Sequence, residues 1–137
     1  DLERWRVLRF AMTSDSDDVA FIEAMIDDIT RDHRVDPSRV YVTGLSNGGM
    51  LTYRLGAALT SRIAAIAVVS GAMFGGETPP TTPIPVLIMH GEQDDIVPFK
   101  GGTSPMALVA RSQSRPFREV AYAVDFWRRA DGCAERP

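Results

Sequence analysis

A short apolar segment, Val40-Tyr41-Val42-Thr43, runs straight into Gly44-Leu45-Ser46-Asn47-Gly48-Gly49, and Met50 to Leu59 then continues at helical spacing. A β-branched and aromatic run leading through glycines into a helix leaves few folds open, because it demands a sharp strand-to-helix turn. Two further segments, Ile63 to Ser70 and Pro85 to His90, are apolar almost throughout. Strands that are apolar on both sides belong to a covered parallel sheet. Helices alternate with them. Ser14-Asp15-Ser16-Asp17-Asp18 supplies cap residues for a helix over about 17–32, where Val19, Ile22, Met25, Ile26 and Ile29 fall on one face. Phe117, Val120, Ala121, Val124 and Trp127 mark a closing helix that Gly132 stops. Asp36-Pro37-Ser38 reads as a turn, 71–85 as a loop, and 101–116 as irregular; Trp5 to Phe10 is a strand or a frayed end. The expectation is one α/β domain: a parallel sheet with helices on both faces.

Composition supports that class and removes others. The 137 residues are 45% hydrophobic and 24% charged, enough for one core but not two. A net charge of −3 gives no basic stripe for nucleic acid. No apolar run is long enough to cross a bilayer. One cysteine and two histidines exclude a disulfide framework and a cysteine-built zinc site. The six methionines are scattered, as core fillers or loop residues are. Such a length holds roughly five βα units. The chain begins at Asp1, with no signal-peptide pattern. It is therefore expected to be a piece of a longer protein.

Gly44-Leu45-Ser46-Asn47-Gly48 fits G-x-S-x-G in the strand–turn–helix setting of a nucleophile elbow. The turn lifts the serine to the exposed end of the sheet. Flanking glycines keep Cβ atoms out of the space between strand and helix, and Gly49 lets the helix closer still. The Asn47 amide, at the start of that helix, is placed to stabilise an oxyanion. Two other readings compete: a packing turn, and a phosphate cradle at a helix N-terminus. The dinucleotide pattern fails because Ser46 occupies its second glycine and no acid lies near 64–67, and the P-loop Lys-Ser/Thr pair is missing.

A nucleophilic serine needs a base, and the base an orienting acid, in the chain order Ser, Asp or Glu, His. His90-Gly91-Glu92-Gln93-Asp94-Asp95-Ile96-Val97-Pro98 follows the second strand after the serine, at the carboxyl edge where such acids belong. Glu92, Asp94 and Asp95 compete for the role on composition alone, against the bland alternative of a solvated acidic turn.

Gly44-Leu45-Ser46-Asn47-Gly48-Gly49-Met50, with His90-Gly91-x-x-Asp94-x-x-Val97-Pro98 and Gly101-Gly102, resembles the polyhydroxybutyrate depolymerase-type esterases of the α/β-hydrolase superfamily, relatives of feruloyl and acetylxylan esterases. The Asp17-Asp18-Val19-x-Phe21-Ile22 helix start and the Val35-Asp36-Pro37-x-Arg39-Val40-Tyr41 lead-in are similar too, so the likeness covers about residues 15–132. It implies that residues 1–137 are the central part of a single α/β-hydrolase domain. It further implies Ser46 as nucleophile, Asp94 as triad acid and Asn47 as an oxyanion donor. Polymeric, aryl or sugar carboxylic esters would be substrates, with no cofactor, no metal, and often secretion.

The sequence departs from that pattern at both ends. No histidine follows His90, and the HGxxG-like loop that would give the second oxyanion amide is absent. Truncation accounts for both, and implies that these residues alone lack triad activity. His90 closes a buried strand and reads as structural rather than as the base, and His33 reads as a surface residue near a helix end. Trp127 reads as an inward helix face, Arg128-Arg129 as solvated. Cys133 is unpaired here, though available to a cysteine elsewhere in a secreted protein. The rival functions are a non-catalytic hydrolase-like binding domain and a phosphate- or nucleotide-binding α/β domain.

Overall fold

The computed structural model describes residues 17–134. The possible strand at Trp5 to Phe10 and the cap residues before Asp17 lie outside them. The elements run α1 (Asp18–Asp32), a 3-10 turn (Pro37–Arg39), β1 (Tyr41–Leu45), α2 (Asn47–Ala58), β2 (Ala65–Val69), β3 (Val86–Met89), α3 (Ala107–Ser112) and α4 (Val120–Ala130).

Each boundary has a local cause. Asp17 caps α1 by accepting the Ala20 N–H at 3.1 Å. Asp36 closes the 3-10 turn by accepting the Ser38 N–H at 2.9 Å. The closing helix ends in a Schellman arrangement: Gly132, at φ +67°, donates to Arg129, and Cys133 donates to Arg128. One expectation is corrected. Part of the irregular 101–116 stretch forms α3, a six-residue helix without a side-chain cap that buries only Val109. Gly102 and Phe117 close that region with a pair of antiparallel bridge bonds.

The strands form one parallel sheet in the order β1-β2-β3. Tyr41 pairs with Ala65 and Leu45 with Val69, and Ile66 pairs with Val86 and Val69 with Met89. Right-handed crossovers between strands added in one direction carry their helices to the same face. Val42, Ile66, Val68, Val86 and Ile88 accordingly pack with Tyr53 and Leu55 of α2 and Leu59 at its C-cap, Ala123 and Trp127 of α4, and Val19 and Ile22 of α1. Tyr53 and Trp127 stack in the middle, ring centroids 6.2 Å apart. Among the described residues the opposite face carries no helix, and Tyr41, Leu45, Leu87 and Met89 lie exposed there.

A second cluster, Met50, Ala72, Val97, Val109 and Phe117, sits under the loops at the carboxyl edge. It anchors the segments that come after β2 and β3. That edge holds the chemistry-bearing side chains.

Candidate active site

Ser46 stands between the end of β1 and the start of α2, with φ +57° and ψ −122°. A non-glycine residue in this region is strained and persists only where its surroundings enforce it. The enforcing contacts are visible. A Cβ at Gly44 would lie 2.2 Å from the Gly48 carbonyl oxygen, and one at Gly49 would lie 3.0 Å from Val68 Cγ1. Helix and strand therefore touch backbone to backbone. The expectation for Gly48 is corrected: a Cβ there meets nothing within 4 Å among the described residues.

Serine at a helix start ordinarily spends its hydroxyl on the first-turn amides. Ser46 makes no such bond with its own helix. The intrahelical ladder begins with Met50 N–H to the Ser46 carbonyl at 3.0 Å, which leaves the Asn47 amide ahead of the first rung. Among the described residues the cap position thus combines a half-buried serine with the positive end of a 12-residue helix.

Asp94 lies in the loop after β3. Its Oδ1 accepts the N–H groups of Ile96 and Val97, both at 2.9 Å. Its side chain is 15% exposed, whereas Glu92 and Asp95 are exposed and hold no comparable bonds. Burial pushes the Asp94 carboxyl pKa up. The N–H groups of Val97 and Ile96, the Ser70 hydroxyl and the nearby His90 outweigh it, and hold the pKa below the ordinary value. This loop is a built feature rather than a solvated turn.

The His90 side chain is nearly fully buried, and its Nε2 donates to the Val97 carbonyl at 2.7 Å. The same nitrogen lies 3.6 Å from Asp94 Oδ2. A buried ring spending its proton on a backbone carbonyl is a strut for the acid loop. His33 is exposed at the end of α1. The strand ends set the spacing: Ser46 N–H donates to Val69 and Ser70 N–H to Met89, so Ser46, Ser70 and His90 form a row across three strands. Neighbouring strands lie about 4.8 Å apart, so β1 and β3 are roughly 10 Å apart.

Two features were not read from sequence. Ser70, at the end of β2, stands at a positive φ of +46°. Beside α2 lies a cavity of about 470 Å³ lined by Met50, Tyr53, Arg54, Ala72, Met73 and Phe74. The loop that walls it is tied down by Glu77, which accepts the Phe74 and Gly75 amides and the Tyr122 hydroxyl. No group of three or more His, Cys, Asp and Glu side chains among the described residues is arranged to hold a metal ion. No helix among them is long and apolar enough to cross a membrane.

A parallel sheet, a strained serine at a strand-to-helix turn and an acid two strands away define an α/β-hydrolase arrangement. A family model described as phospholipase/carboxylesterase matches residues 12–116, and the chain belongs to that family of the α/β-hydrolase superfamily. It is 38% identical over 124 residues to "Putative esterase NocK" of Nocardia uniformis subsp. tsuyamanensis, covering 87% of this chain and 36% of that protein. It is 33% identical over 131 residues to feruloyl esterase B of Piromyces equi, covering 90% of this chain and 24% of that protein. Over 83 residues it is 32% identical to the bifunctional acetylxylan esterase/xylanase XynS20E of Neocallimastix patriciarum, covering 61% and 12% respectively. The chain thus spans about a third or less of the length of these relatives.

Proposed function

We propose that these residues carry the nucleophile and the acid of a serine hydrolase acting on carboxylic esters. The observation that carries this reading is the Ser46 backbone, held at φ +57° with its hydroxyl unused by the helix it begins. In the proposed reaction a base takes the Ser46 proton as Oγ adds to the ester carbonyl. The negative oxygen is held by the Asn47 amide and a second donor. Collapse expels the alcohol and leaves an acyl-serine, which water attacks with the same base accepting its proton. Asp94 orients the base and stabilises its charged form.

Neither His90 nor His33 is the base, the first being buried and engaged with Val97 and the second exposed at the end of α1. The reading therefore assigns that role to a histidine outside residues 1–137, in a protein in which this chain is the central part. Under this reading the chain alone has little triad activity. Aryl and sugar esters stand first as substrates, since relatives are named feruloyl and acetylxylan esterases. Polyhydroxyalkanoates come second, on the motif resemblance, which also suggests secretion.

Fluorophosphonate labelling of the full-length protein tests the nucleophile. Stoichiometric labelling that disappears in Ser46→Ala is expected. Equal labelling of both proteins would remove Ser46 from the mechanism.

A further inference from the structure

Two polar residues are buried among those described, Thr52 and Ser104. A buried hydroxyl costs stability unless it is bonded, so the partner each one finds is informative. Thr52 spends its hydroxyl on its own helix, donating to the Gly48 carbonyl at 2.8 Å. Ser104 reaches another segment: its Oγ donates to the Ile96 carbonyl, in the acid loop, at 2.6 Å. The serine is itself held on two sides. Its Oγ accepts the Met106 N–H at 3.2 Å, and its own N–H donates to Gln113 Oε1 at 2.7 Å. Gln113 is the C-cap of α3, so that short helix closes a small frame around Ser104.

The Ile96 carbonyl belongs to the same peptide group as the Val97 N–H, and that N–H donates to Asp94 Oδ1 at 2.9 Å. A trans peptide group is a rigid plane with its C=O and N–H on opposite sides. Ser104 therefore grips one side of a plate whose other side holds the carboxylate. A carbonyl that accepts a hydrogen bond also leaves its N–H the stronger donor. The next carbonyl, that of Val97, is taken by His90 Nε2 at 2.7 Å. His90 thus fastens the acid loop to the end of β3, and Ser104 fastens it to the segment that frames α3. We infer that Ser104 is a positioning residue, whose hydroxyl acts through the Ile96–Val97 peptide group to set the orientation of the Asp94 carboxylate. This rests on the esterase reading above, in which Asp94 is the triad acid. It adds to that reading a residue that works only through the backbone.

Titrating the nucleophile with a fluorophosphonate separates slower enzyme from less enzyme, so turnover is read per titrated site. On an activated short-chain aryl ester, Ser104→Ala in the full-length protein is expected to lower kcat per site about tenfold, because the carboxylate is loosened and not removed. KM should stay within about twofold. Ser104→Cys, with its weaker donor, should fall between the alanine variant and wild type. Val109→Ala thins the neighbouring apolar cluster and leaves these hydrogen bonds in place; it should lower stability and keep kcat per site. Wild-type kcat per site in Ser104→Ala would overturn the inference, even if fewer sites titrate. An equal loss in Val109→Ala would also overturn it, since packing and not the hydroxyl would then set the rate. If Ser104→Ala does not fold, Ser104→Cys decides: a several-fold loss per site is expected, and wild-type kcat counts against the hydroxyl's role. Unaltered labelling of Ser46→Ala, or near-normal kcat in Asp94→Asn, would by contrast bring down the reading on which the inference rests.

Discussion

The ends of β1 and β2 each present a serine at positive φ, yet the chain leaves them differently. Ser46 and Ser70 are the two non-glycine residues with positive φ among those described. After Ser46 the backbone turns at once into α2, so the serine meets the amides of a helix start. After Ser70 it enters the long loop that leads to β3. Strain alone therefore does not make a nucleophile; the element that the strained residue leads into decides. A serine that begins a helix lies beside amides that favour developing negative charge, and one that leads into a loop does not.

Ser46→Ala tests this difference most severely. It should cut turnover in the full-length protein by about a million-fold, as loss of a serine nucleophile does elsewhere, measured with an activated ester. Asp94→Asn comes next, with an expected loss of about ten-thousand-fold in kcat and retained binding of a substrate-like inhibitor. A loss under tenfold would make the acid loop a structural feature.

The turn can be probed through stability. Gly44→Ala drives a methyl into the Gly48 carbonyl and should cost at least about 3 kcal/mol by chemical denaturation. Gly48→Ala, which meets open space, should stay within about 1 kcal/mol of wild type. Equal costs would dissolve the distinction between a glycine required by contact and one that is not.

The smallest effect is in acid. The Asp94 carboxyl is held below its ordinary pKa in the folded protein. It therefore adds stability that is present above the unfolded value of about 4 and is lost as pH falls through the folded value. Asp94→Asn should flatten that part of the stability curve, measured by urea unfolding below pH 4.

Much of the scaffold was legible because it is encoded locally. Apolar β-branched runs gave the three strands, and Asp17 with helical spacing gave α1. The short α3 escaped because Met106 offers no capping side chain and only Val109 turns inward. Ser46 was singled out by its motif, whereas chain order left Glu92, Asp94 and Asp95 open and only the family resemblance pointed to Asp94; Ser46 and Asp94 lie at one edge of the sheet. Ser70 was not singled out, since residue type carries no sign that a serine will sit at φ +46°. Nor was the bond from Glu77 to Tyr122, which joins residues 45 positions apart. A bond of that kind depends on where two distant segments finally meet, and spacing in the sequence does not record it.

The strands facing away from the helices have a practical consequence. Tyr41 and Leu45 on one margin, and Leu87 and Met89 on the other, are 47–66% exposed around the small side chains of Ala65 and Ala67. Among the described residues these side chains form an apolar plate that nothing covers, and plates of that sort stick to one another as concentration rises. Sedimentation run across a dilution series would register the effect directly, and biochemistry on this sequence is best begun from the longest soluble product that contains it.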